Sequence, residues 1–286
     1  MPKLFAPIIS ESNHYIASTI DKESRLKQMP SPKIIIMGGS GSAYSINSQP
    51  LEDSLKTPVI NMAVAYGMGL TFMMEEVKNS IKKSDKIVLI AEYNLPLEGN
   101  KKLLTLLNDL NPDASNYFNF DLIEQIEFSV SNFQRVGSSL FYLFKNKNKT
   151  EVTPLRNSFN NHGDMVSHLN LPNTRPLKDQ EKLYNNLYID ELKSINSFVA
   201  FAETKGAKVY FCFPAYPKTE YIKNQAAIEF WENRIKSNFK GEILNTPEDN
   251  LYEENEFFDT VYHLNKIGRD KRSQYLAKVL KNKIRE

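Results

Sequence analysis

The stretch "KIIIMGGSGSAYSINSQPLEDSL", residues 33–55, decides the fold. Within its first six residues, 33–38, the run Ile34 to Met37 is apolar without alternation and rich in β-branched isoleucine, the pattern of a strand covered on both faces and therefore of a parallel sheet between helices. Five small residues, Gly38 to Ser42, then lead into a helix-like segment. A serine in such a turn either presents a hydroxyl, cradles a phosphate, or simply connects two elements.

Four further runs have the same character: "PVINMAV" (58–64), "KIVLIAEY" (86–93), "KVYFCF" (208–213) and "GEILNT" (241–246). They alternate with helical patterns, and parallel strands joined by right-handed crossovers wind a sheet on both sides. The expected fold is α/β: a doubly wound, five-stranded parallel sheet of flavodoxin-like order 2-1-3-4-5, with helices on both faces. More than a hundred residues separate the third and fourth strands. There, "NYFNFDLIEQIEFSVSNFQRVGSSLFYLFK" (116–145) reads as helical, and residues 146–180 read as a loop rich in Asn, Pro and Ser. "QEKLYNNLYIDELKSINSFVAFAETKG" (180–206) reads as a long helix closed by Gly206. Residues 1–286 are therefore expected to form a single domain, with 110–185 a helical and loop insertion or lid within it.

With a formal net charge of +2 and acids and bases spread along the chain, no broad footprint for nucleic acid exists. "KNKNKT" (145–150) lacks interleaved aromatics and reads as a solvated loop. The single cysteine, Cys212, sits in an apolar run and is expected to be buried; one cysteine allows no disulfide within the chain. No run of 18 apolar residues is present and "MPKLFAPIIS" lacks a cleavage pattern, so no membrane span is expected, while an anchored longer form and the cellular location stay open.

Ligands of a doubly wound sheet collect at the carboxyl ends of its strands, where Ser40 falls. Glycines 38, 39 and 41 permit a sharp turn and close backbone approach. A nucleotide site is disfavoured: Tyr44 stands where the dinucleotide fingerprint needs glycine or alanine, the second strand ends without an acidic residue, and no P-loop lysine follows. No cofactor is expected. A serine nucleophile needs a base, and the chain has four histidines. His14 precedes the first strand without chemical company and is expected at the surface. His162 and His168 lie with Asp164 in "NNHGDMVSH", a set with no metal motif. His263 follows the fifth strand, four residues after Asp259, which is placed to orient a general base; a packing or capping histidine is the competing reading. With strand order 2-1-3-4-5, the turn carrying Gly39 and Ser40 also neighbours Gly67, beyond the second strand, and Asn94, beyond the third. Both are suitable oxyanion donors.

Together these residues resemble the SGNH (GDSL-type) hydrolase family. "MGGS" is similar to the family's Gly-Asp-Ser block, with Gly39 in place of Asp and Ser40 matching the nucleophile. Gly67 in "NMAVAYGMG" corresponds to the second block's glycine, with Tyr66 competing. "AEYN" retains Asn94 of the third block, and "DTVYH" resembles the last block with one extra residue between Asp259 and His263. The combination looks most like bacterial members associated with cell-surface polysaccharide. What the resemblance implies is a serine esterase acting on an acyl ester, an O-acetylated carbohydrate among the candidates, through an acyl-enzyme on Ser40 with His263 moving the proton. Transfer of the acyl group to a sugar hydroxyl, or an inactive binding module on the same fold, remain open alternatives.

Overall fold

A computed structural model of the protein describes residues 13–118, 154–184 and 189–285. The elements, in chain order, are α1 (Ser18–Gln28), β1 (Ile34–Gly38), α2 (Ser40–Ser45), α3 (Ser48–Leu55), β2 (Val59–Asn61), α4 (Gly69–Lys78), β3 (Lys86–Ile90) and α5 (Lys101–Leu110). There follow α6 (Ile189–Thr204), β4 (Lys208–Cys212), β5 (Tyr216–Pro217), α7 (Lys218–Asn238), β6 (Glu242–Ile243), β7 (Leu251–Tyr252) and α8 (Lys266–Arg285).

Five strands form one parallel sheet in the order β2-β1-β3-β4-β6, which is the flavodoxin-like order of the five expected runs. Alternate strand residues feed two cores. Ile35, Met37, Ile87, Leu89, Val209 and Phe211 pack with side chains of α1, α4, α5, α6 and α7. Ile34, Ile36, Val88, Ile90, Tyr210 and Cys212 pack with Leu51 of α3 and with Leu276 and Leu280 of α8. Unbroken hydrophobicity in the strands follows from this, because both faces exclude water. The Asp85 carboxylate ties the sheet's amino-terminal edge together: it accepts the Lys33 backbone N–H at 3.0 Å and pairs with the buried Lys33 ammonium at 3.0 Å.

The strands are shorter than the apolar runs predict. β2 ends at Asn61 and β3 at Ile90, and the chain beyond each leaves the ladder at the carboxyl edge, where residues 91–95 remain buried or half-buried. A two-stranded parallel pair, β5 with β7, has no counterpart in the expected set. The helix predicted from 180 begins at Ile189; residues 181–184 are irregular, and the Leu183 N–H donates to Asn224 Oδ1 at 2.9 Å. Gly206 follows that helix at φ +74°, as a chain-reversing glycine should. Of the helical segment expected at 116–145, residues 119–145 lie outside the described residues, as does "KNKNKT". Cys212 is buried. Among the described residues no helix is long and apolar enough to cross a membrane.

Candidate active site

A cleft at the carboxyl edge of the sheet is lined by Ser40, Tyr66, Glu92, Asn94, Asp179, Glu181, Thr260, Tyr262 and His263. Ser40 opens α2 directly after β1, and Gly39 before it is extended, at φ −82° and ψ −160°. The glycines on either side of the serine have a specific reason. Glu92, two residues past β3, turns its buried carboxylate under this turn, accepting the Gly39 N–H at Oε2 (3.1 Å) and the Gly41 N–H at Oε1 (2.7 Å). A Cβ at Gly39 would lie 2.5 Å from Oε1 and one at Gly41 2.9 Å from it, so a side chain at either position would force the carboxylate to move. Burial pushes the Glu92 carboxyl above the ordinary glutamate range, opposed by these amide hydrogen bonds and by the charge of His263.

His263 is held by its own loop and by α2. Its Nδ1 lies 2.8 Å from Asp259 Oδ1. The Thr260 hydroxyl accepts the backbone N–H groups of Tyr262 and His263 at 3.2 and 3.1 Å, which closes the intervening turn. From α2, the Ser45 hydroxyl donates to the Tyr262 carbonyl at 2.9 Å. The ring itself lies on Tyr44, centroids 3.8 Å apart and planes 7° from parallel. The tyrosine that breaks the dinucleotide fingerprint thus packs the imidazole. Burial pushes the Asp259 carboxyl up, but the hydrogen bond and charge of His263, with Lys178, outweigh it and hold it below the usual aspartate range.

Ser40 and His263, 223 positions apart in sequence, line the same cleft, and no hydrogen bond joins them directly. Asn94 lines it too, its amide donating to Glu181 Oε2 at 3.2 Å. Gly67 does not; Tyr66, more than half exposed, takes that place, while the Gly67 carbonyl accepts the Asn100 N–H at 2.7 Å. The Gly39 N–H is engaged by Glu92, so this amide points to a carboxylate rather than to the cleft. Glu92 escaped the sequence reading. Its signal lay in the strand order, since Gly38 and Ile90 are partners in register and residue 92 must therefore neighbour the serine turn.

The insertion supplies one wall. Lys178 pairs with the histidine loop, its N–H donating to the Asp259 carbonyl (2.8 Å) and its carbonyl accepting the Val261 N–H (3.1 Å), which brings Asp179 and Glu181 to the cleft. The set His162, Asp164 and His168 does not converge. Asp164 is fully buried and accepts from Ser48 N and Oγ (2.8 and 2.6 Å), Asn61 Nδ2 (2.9 Å) and Arg269 (3.4 Å), fastening the loop to α3, β2 and α8. His162 approaches Glu52 at 3.5 Å. His168 Nε2 lies 3.1 Å from the Leu264 carbonyl, and burial pulls its pKa down to about 4, so the ring is neutral packing beside Tyr44. Among the described residues no group of three His, Cys, Asp or Glu could hold a metal ion. His14, expected at the surface, is half-buried and caps a short 3₁₀ turn, with Nδ1 accepting the Ile16 N–H at 3.3 Å.

No family model matches the chain, and no curated protein matches it. The crystal structure of protein YxiM from Bacillus subtilis is similar at 14% identity and a TM-score of 0.36, over 89% of this chain and 57% of that one. The chain thus spans little more than half the length of that protein.

Proposed function

We propose that the protein is a serine-dependent acyl-ester hydrolase or acyltransferase with Ser40 as nucleophile, His263 as general base and Asp259 as its orienter. The observation that carries the reading is the alignment of His263: Nδ1 sits 2.8 Å from a carboxylate held ionised, which reserves Nε2 for the cleft that Ser40 also lines.

In this reading His263 Nε2 takes the Ser40 proton as Oγ attacks the acyl carbonyl. The resulting oxyanion meets the Ser40 N–H, a first-turn amide without an intrahelical acceptor, and Asn94, whose amide has a second hydrogen beyond the one given to Glu181. The imidazolium then protonates the leaving alkoxide, leaving an acyl group on Ser40. Water, or a sugar hydroxyl, gives its proton to His263 and releases the acyl group as acid or as a new ester. An O-acetylated carbohydrate is the substrate class carried by the family resemblance. Asp179 and Glu181, which line the cleft, suit the role of substrate-binding side chains in this reading.

A second reading, a catalytically silent binding module, draws on the missing direct hydrogen bond between Ser40 and His263. Apo sites are often looser than their substrate complexes, so the two readings part on reactivity rather than on this distance. Incubation with a fluorophosphonate, followed by intact mass measurement, separates them. A single adduct that vanishes in Ser40→Ala and slows in His263→Ala supports the enzyme. A folded wild-type protein that neither labels nor turns over short acyl esters sinks it in favour of the module.

A further inference from the structure

We propose that Glu92 is a positioning residue of this site: its carboxylate holds the Gly39–Gly41 turn and so fixes the backbone that presents Ser40. The inference rests on the serine reading above and adds to it a residue outside the Ser40, His263 and Asp259 set.

Three observations carry it. Glu92 is only 4% exposed, yet both its carboxylate oxygens face the serine turn through the 3.1 and 2.7 Å amide contacts. Its two hydrogen bonds bracket Ser40, one residue to each side, so the serine backbone cannot tilt without breaking one of them. Glu92 also lines the same cleft as Ser40 and His263. A carboxylate in so dry a position would be costly if it only closed a turn, because a neutral acceptor could receive two amide hydrogens with less desolvation. The turn it secures is the one that sets Ser40 at the cleft.

The test is an NMR titration that needs no substrate. In the wild-type protein the Gly39 and Gly41 amide resonances should move together through one step, displaced above the ordinary glutamate range, because one buried carboxylate holds both N–H groups. In Glu92→Gln that shared step should vanish and, where turnover is measurable, kcat should fall about tenfold to a hundredfold with KM little changed; Glu92→Asp, which keeps the carboxylate but is too short to span both amides, should fall less. Glycine amides with no shared step in the wild type, or an unmoved kcat in Glu92→Gln, overturn the proposal. The wild-type titration decides alone if the glutamine variant does not fold. Because that titration precedes chemistry, its failure is distinct from a failure of Ser40 to label.

Discussion

The phenol ring of Tyr44 lies flat against the imidazole of His263, 3.8 Å between centroids, with His168 and Phe258 closing the rest of the cluster at 4.6 and 6.4 Å from Tyr44. Tyr44 sits one turn along α2 from Ser40, so the helix that carries the proposed nucleophile also carries the surface on which the proposed base rests. Any drift of α2 moves both together. Tyr44→Phe should keep this stack and nearly full stability. Tyr44→Ala should cost about 3–5 kcal/mol of stability in urea unfolding, the usual range for emptying a buried aromatic site, and should lower kcat through a poorly held base. Equal stability in the phenylalanine and alanine variants would show that the stack does not hold the ring.

Ser40→Ala removes the proposed attacking oxygen and should leave the fold intact, because the Glu92 hydrogen bonds run to the flanking glycines. We expect kcat/KM toward a short acyl ester to fall by about 10³-fold or more, with the fluorophosphonate adduct lost. Unchanged thermal unfolding alongside that loss assigns the effect to chemistry rather than to folding.

Asp259→Asn keeps the shape but offers His263 the wrong orienting partner, and a drop in kcat of about 10²–10⁴-fold is expected. Stability carries an independent signature. The folded carboxyl titrates below its unfolded value of 3.8, so it contributes stability that is present above that pH and disappears as pH falls through the folded value. The stability gap between wild type and Asp259→Asn should therefore close on acidification below about pH 4. A gap independent of pH down to the acid limit would mean that the carboxylate's charge is not what His263 uses.

Asp164→Ala leaves the Ser48 hydroxyl, the Asn61 amide and the buried Arg269 guanidinium without their shared acceptor. Removing one partner from a buried ionic cluster costs about 3–5 kcal/mol, which urea unfolding would register as a lower midpoint. Metal addition should not restore it, since no other ligand converges there among the described residues. Restoration by a divalent ion would return this loop to the metal-binding candidates.

The sheet was legible in the chain because burial on both faces leaves a mark that is local: continuous β-branched runs such as "KIIIMG" need no knowledge of their partners. The spacing of Asp259 and His263 was likewise readable, as both ends of that contact lie in one turn. Where reading failed, the contact joined distant segments. Asp164 stood beside two histidines in a set with no metal motif, and nothing local showed that Ser48, Asn61 and Arg269 claim its oxygens from 116, 103 and 105 positions away. Tyr44 counted only as a mismatch to a phosphate-binding pattern until the 262–264 loop folded over it. Glu92 had no motif at all; its role arises from the pairing of β1 with β3, which sets a carboxylate under glycines 51 and 53 positions earlier. Hydrophobic periodicity is a property of neighbours along the chain. The placing of a charge beside a hydroxyl or a ring is a property of neighbours across a sheet, and only strand register and loop packing bring those together.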